Sequence, residues 1–296
     1  MRRFLPLIML LLFIGCNATS QTTEDLQSAL SSKLESLEGD FAIAFKNLSD
    51  TTQQVFINER EMFHAASTMK TPVMIELFKQ AEAGKFMLSD SIMVKNEFYS
   101  IVDSSRYSMD ISEDSEGQLY DIIGQKRTIR DLINDMIIMS SNLATNILIQ
   151  KVGAPNVTQT MRSYGADSIK VLRGVEDIKA YERGLSNRTT ALDESITYER
   201  LGRANAVSTE ASQTMIEILK KQHFNEMIPA KLPEDVEVAH KTGWITGVHH
   251  DAGIVMLPDG RKYVLVMLSK NAPNRDNVIA TFAEISNLVY KFVTNE

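Results

Sequence analysis

Hydrophobic positions divide the chain into stretches of two different periods. Leu26, Leu30, Leu34 and Leu37 recur at helical spacing and predict a helix over 25–37. FAIAFKNL (41–48) and QQVFIN (53–58) are strand-like, and Ser49-Asp50-Thr51-Thr52 between them predicts the turn of a hairpin. From Ser67 to about Gln80 the period is helical again, with Val73, Met74, Leu77, Phe78 and Ala81 on one face. Pro72 falls in the first turns of that helix, where a missing N–H is tolerated. Residues 85–127 carry no regular period. Thr128 is suited to cap a helix bearing Ile129, Leu132, Ile133, Met136 and Ile137. Ser140-Ser141-Asn142 interrupts it, a second helix runs from about Leu143 to Val152 and ends at Gly153, and Pro155 opens a third that stops near Gly165. Residues 167–190 again lack a period, and 208–222 are helical.

Strands return near the end as VEVAHKTGW (236–244), HDAGIVMLP (250–258) and KYVLVMLSK (262–270), followed by a helix over about Arg275 to Phe292. The two strand groups lie far apart in sequence. They suit one antiparallel sheet with the helical block inserted between its parts.

Composition agrees with a globular chain of one large domain or two small ones. The 296 residues are 44% hydrophobic and 23% charged, which excludes long disorder, a coiled coil and a collagen-like fibre. Lys and Arg number 31 against 38 Asp and Glu, a net charge of −7, so a phosphate backbone is repelled and nucleic acid is not an expected partner. The single cysteine, Cys16, rules out an intramolecular disulfide and a Cys-based zinc site.

Its position also has meaning. Residues 1–16 read MRRFLPLIMLLLFIGC: Arg2 and Arg3 form a basic start, Phe4 to Ile14 an apolar run, and Gly15-Cys16 the end. The pattern is similar to a bacterial lipoprotein signal, in which the cysteine is lipidated, although Phe13 stands where Leu, Val or Ile is usual. The alternative is an ordinary cleaved signal peptide. Either reading makes the mature protein exported to the cell envelope or periplasm, with 29 basic against 38 acidic side chains. Residues 17–24 are polar and read as a tether, so a membrane is touched only through a lipid on Cys16.

Three short motifs carry candidate chemistry. In Ser67-Thr68-Met69-Lys70 the first and last residues share a helix face, so a Lys amine of lowered pKa can activate a Ser hydroxyl. Alone, this is equally a helix cap beside a solvated lysine. Ser140-Ser141-Asn142 between two apolar helices is either a turn or a loop offering hydroxyl and amide groups to a cleft. Lys241-Thr242-Gly243 lies in a strand, where Gly often marks the close approach of a ligand.

Together and in this order, the motifs resemble the signature of class A β-lactamases and related penicillin-recognising serine hydrolases. The resemblance extends over about residues 25–293. It implies an α+β fold: a five-stranded antiparallel sheet flanked by helices, with the sheet part at about 25–66 and 223–293 and an inserted all-helical part at about 67–222. It implies Ser67 as the acylated nucleophile, Lys70 as the group that helps deprotonate it, and Ser140 as proton relay to the leaving nitrogen. Asn142 would bind the substrate's side-chain amide, and Lys241 and Thr242 its carboxylate. Gly243 belongs to the same strand motif, and the N–H groups of Ser67 and Trp244 would form the oxyanion hole. No cofactor or metal is implied, and the expected protein is a monomer acting on a small β-lactam or a cell-wall peptide.

Two departures matter. Ser141 replaces the usual Asp of Ser-Asp-Asn. The family's deacylating Glu, found in Glu-x-x-Leu-Asn, has no intact counterpart in RGVEDIKAYERGLSNRTT. Glu176 is the candidate by its distance to Thr189-Thr190, Glu182 is its rival, and the third option is that neither acts. The first option makes a β-lactamase. The last leaves a penicillin-binding, peptidase-like or esterase-like hydrolase with slow deacylation, or a silent envelope lipoprotein. Three other features read as structural or incidental. Asp110, Glu113, Asp114 and Glu116 read as a solvated patch, His249-His250-Asp251 as a strand-end surface cluster, and Asn47-Leu48-Ser49 as an unused glycosylation sequon. No Gly-x-Ser-x-Gly elbow is present, which argues against an α/β-hydrolase.

Overall fold

The structure, a computed structural model, describes residues 21–296; residues 1–16, read as a signal ending at Cys16, lie outside them. Helix α1 (Thr23–Glu35) starts within the stretch read as a tether, because Thr22 and Asp25 form a reciprocal capping box. Strands β1 (Asp40–Asn47) and β2 (Gln54–Ile57) form the expected hairpin. The chain then leaves the sheet through α2 (Lys70–Glu82), α3 (Ile129–Ile138), α4 (Asn142–Val152), α5 (Ala154–Ser163), the short α6 (Ile178–Glu182), α7 (Ala191–Gly202) and α8 (Thr209–Leu219). It returns as β3 (Glu237–Ile245), β4 (Val248–Met256) and β5 (Lys262–Lys270), and ends in α9 (Arg275–Thr294). The sheet order is β2-β1-β5-β4-β3, antiparallel throughout.

Both faces of the sheet are covered, which is why its central strands read as continuous apolar runs. Phe41, Ile43, Phe45, Leu265 and Met267 point to one face and pack against α1 and α9. The intervening Ala42, Ala44, Val264, Val266 and Leu268 point to the other face and join the core of the helical block. Each large apolar side chain buried this way contributes about 2 kcal/mol.

Two features depart from the sequence reading. The insertion is not purely helical: Ser91–Met93 pairs with Lys126–Thr128, Phe98–Tyr99 with Arg106–Tyr107, and Phe63–His64 with Arg188–Thr189. Helix α7, which no hydrophobic period marks, packs on the sheet rather than away from it. Its buried face includes Asp193, Glu194, Ser195 and Thr197 as well as Ala191, Tyr198 and Leu201, so its hydrophobic period is blurred.

Candidate active site

Ser67 sits in a 3-10 turn (Ala66–Met69) that leads directly into α2. The turn is held from several sides. Ala66 adopts the left-handed conformation at φ 45, and its N–H donates to His64 Nδ1 at 3.0 Å. The Ala65 N–H donates to Asn187 O at 2.9 Å. The Thr68 hydroxyl lies 2.8 Å from both Ala65 O and Glu194 Oε1, and burial pushes the Glu194 carboxyl up to about 7. His64 is itself braced, because its carbonyl accepts from His250 Nε2 at 2.9 Å. His249, His250 and Asp251 are therefore not a surface cluster. All three are buried, and they alternate between sheet faces as strand geometry requires.

Lys70 lies one turn after Ser67 and is fully buried. Its Nζ donates to Ser140 O at 2.5 Å, Ser140 Oγ at 3.2 Å and Asn142 Oδ1 at 3.0 Å, and none of its hydrogen bonds is to Ser67 Oγ. Lys241, equally buried on β3, donates to the same Ser140 Oγ at 3.1 Å. Ser140 therefore stands between two lysines. Burial pushes Lys70 down to about 7, against the opposing pull of the Asp114 and Glu176 carboxylates. Burial and the nearby Lys70 charge hold Lys241 well below the ordinary lysine value.

Glu176 reaches the same cluster. Asn142 Nδ2 donates to its Oε1 at 3.2 Å, so Asn142 links Lys70 to Glu176. The Asp110 N–H donates to Oε2 at 3.3 Å, and burial raises the Glu176 carboxyl above the ordinary glutamate value. Glu182, the rival, ends α6 in an exposed position. Glu176 is left-handed at φ 59, and both of its neighbours are anchored. Val175 exchanges hydrogen bonds with the Asn146 amide at 2.6 and 3.0 Å. Asp177 accepts from Ser100 Oγ at 2.8 Å and from the Ile101 N–H at 2.9 Å. A β-carbon on Gly174 would overlap the Asn146 amide, so only glycine fits there.

β3 closes the other side. A β-carbon on Gly243 would lie 2.9 Å from Ser67 N and 3.1 Å from Thr68 N, both rigid backbone atoms. On the reading of Ser67 as the nucleophile, Gly243→Ala is expected to push β3 away from it and slow acylation about a hundredfold, with the far-ultraviolet circular dichroism unchanged. Stopped-flow acylation measures this, and a rate within twofold of the unsubstituted protein contradicts it. Beside Thr242, Gly243 and Trp244 opens a cavity of about 200 Å³, also lined by Phe224, His249 and Arg275. Arg275, at the start of α9, pairs with Glu226 at 2.7 Å and brings a guanidinium that no sequence motif marks.

One correction concerns the acidic patch. Asp114 is not a solvated charge, because its carboxylate accepts from the Asn142 and Leu143 N–H groups at 2.8 and 2.9 Å.

A family model described as "Beta-lactamase enzyme family" matches residues 22–293. The chain belongs to the β-lactamase enzyme family. Among its relatives, β-lactamase CTX-M-25 of Escherichia coli is 26% identical over 271 residues, covering 88% of each chain. The extended-spectrum β-lactamase PER-1 of Pseudomonas aeruginosa is 22% identical over 254 residues, covering 82% of this chain and 79% of the relative. In fold, the chain is similar to the TLA-3 extended-spectrum β-lactamase, with TM-score 0.80 and 18% identity over 92% of this chain and 99% of the other. It is also similar to PBP-A, with TM-score 0.78 and 23% identity over 93% and 96%. The five-stranded antiparallel sheet with its helical insertion is thus the fold of the family.

Proposed function

We propose that the protein is a serine β-lactamase, opening the lactam amide through an acyl-enzyme on Ser67. The observation that supports this most strongly is the chain Lys70–Asn142–Glu176 beside Ser140, which gives each half of the cycle its own base. In acylation, neutral Lys70 takes the Ser67 hydroxyl proton as Oγ bonds to the lactam carbonyl carbon. The oxyanion develops against the N–H groups of Ser67 and Trp244. The lactam C–N bond then breaks, Ser140 gives its proton to the leaving nitrogen, and Lys70 re-protonates Ser140. In deacylation, Glu176 takes a proton from water as that water attacks the ester carbonyl carbon, and the proton returns to Ser67 Oγ as it leaves.

Asn142 binds the substrate's side-chain amide, and Lys241 and Thr242 hold its carboxylate. That anion adds counter-charge beside Lys241, which burial and the Lys70 charge hold well below the ordinary lysine value, and this favours binding of an acidic substrate. The mature protein is an exported monomer, anchored through a lipid on Cys16. A slowly deacylating penicillin-binding protein is less well supported, because Glu176 is hydrogen-bonded within the cluster rather than exposed.

Rapid mixing with a chromogenic cephalosporin tests the proposal. The expected result is sustained turnover, with an adduct on the Ser67 peptide only during the reaction. A single burst with a lasting adduct makes the protein a penicillin-binding protein, and no adduct with no turnover rejects both readings.

A further inference from the structure

We infer that Asp114 supplies the carboxylate missing from Ser140-Ser141-Asn142, acting as a positioning residue that fixes Asn142 and holds negative charge beside Lys70. The inference rests on reading Lys70 and Asn142 as working groups of the site. Three sets of contacts carry it. First, Asp114 Oδ1 and Oδ2 accept from the Asn142 and Leu143 N–H groups, the first two of α4. The next N–H, of Ala144, goes to Ser141 Oγ at 3.2 Å, so the two side chains divide the helix start between them. Second, the carboxylate is itself anchored, because Tyr120 Oη donates to Oδ2 at 2.9 Å. The strand of chain around it is pinned where Ser115 Oγ donates to Met139 O at 2.7 Å, and Glu113 O accepts from Asn142 Nδ2 at 3.4 Å.

Third, Ser141 Oγ lies 3.5 Å from Asp114 Oδ2. A carboxylate on residue 141 would therefore reach the volume that the Asp114 carboxylate already fills. Two anions there would repel each other, and none would leave the helix start and the Lys70 side of the cluster short of negative charge. One carboxylate satisfies the site, and this chain brings it from 28 residues upstream of Asn142. The charges that act on Lys70 include those of Asp114, of Glu176 from the loop before α6, and of Lys241 from β3. Of these, Asp114 is the one that also holds the backbone of Asn142.

The test is a four-protein cycle: unsubstituted, Asp114→Asn, Ser141→Asp and the double variant. Two quantities are read. One is the second-order rate of labelling by a fluorescent penicillin. The other is the Lys70 titration followed by ¹³Cε NMR, with the signal assigned through Lys70→Arg. Asp114→Asn is expected to slow labelling about tenfold and to move the Lys70 titration to lower pH, because an attracting anion is lost. Ser141→Asp alone is expected to slow labelling, whereas in the Asp114→Asn background it restores labelling to within about threefold and returns the titration toward its original pH.

Equal losses from Asp114→Asn in both backgrounds overturn the inference. So does a Lys70 titration unmoved by Asp114→Asn, even with a lowered melting temperature, since that makes Asp114 a helix cap alone. If no protein is labelled but the Lys70 titration follows the expected pattern, the functional reading fails and the placement of charge by Asp114 stands.

Discussion

Ser67→Ala is expected to abolish turnover of every β-lactam the protein accepts, and Lys70→Ala to slow acylation about ten thousandfold. The first change removes the atom that bonds to the lactam carbonyl carbon. The second removes the amine proposed to take the Ser67 proton, and it also unties Ser140 and Asn142, to which Lys70 donates. Lys70 carries a specific pH signature. Its value is pushed down to about 7, so the free amine predominates above that pH and the ammonium below it. Acylation by the unsubstituted protein is expected to rise about tenfold per pH unit on the acid side of 7 and to level off above it. The limb rises with pH because deprotonation, not protonation, creates the base. In Lys70→Ala that limb is expected to vanish along with most of the rate. Single-turnover acylation measured from pH 5 to 9 checks both statements. An unchanged limb in Lys70→Ala would assign the base role to another group.

Three of the eight non-glycine residues with positive φ among the described residues lie where this chemistry is assembled. Ala66, Ser140 and Glu176 are all left-handed, at φ 45, 60 and 59, a conformation that costs a non-glycine residue about 1–2 kcal/mol. Each is held by partners that over-determine it. His64 fixes Ala66, and Lys70 holds the Ser140 carbonyl. Asn146 and Asp177 clamp the residues on either side of Glu176. Left-handed backbone aims a side chain where a regular helix or strand would not, and here the three turns converge on one cluster.

What the sequence showed depends on how local each interaction is. Three residues of helix place Ser67 and Lys70 on one face, but the pair became legible as chemistry only beside the other two motifs. Lys241 was legible only through Lys241-Thr242-Gly243 following the other two motifs in order, since a Lys in a strand alone reads as a solvated face. The hairpin, the three-strand return and the last helix followed from period alone. Glu176 was legible only as a choice, since nothing local separates it from Glu182. What separates them is Asn142, 34 residues earlier in the chain. Asp114 was misread for the same reason, as an acid among acids whose partners lie 28 and 29 residues away. Asn146 gave no signal, and Asn187 gave one only as part of the Glu182-x-x-Leu185-Ser186-Asn187 pattern. Each is a buried amide clamping backbone, and an Asn within an apolar helix or a loop carries no periodic mark. Helix α7 was lost because buried polar groups, Glu194 under Thr68 among them, occupy the positions where period is read.

Glu176→Gln is expected to convert the protein from a hydrolase into a penicillin trap. Glutamine keeps the shape of the side chain and can still accept the Asp110 N–H, so the strained loop should hold its path. It cannot take a proton from water at neutral pH. Acylation, proposed to run through Lys70 and Ser140, is then expected to stay within about tenfold, while deacylation slows about a thousandfold. The acyl-enzyme should accumulate on Ser67 and be visible in the intact mass after seconds of mixing. Glu182→Gln, a change on the exposed end of α6, is expected to leave both steps unaltered. The pH dependence of deacylation adds an independent check. Burial raises the Glu176 carboxyl, and its base form exists only above that raised value. Deacylation should therefore fall on acidification at a higher pH than an ordinary glutamate would give, and this limb should be missing in Glu176→Gln. Equal slowing of acylation and deacylation would instead mean that Glu176 serves the cluster through its bond to Asn142, with the hydrolytic base elsewhere.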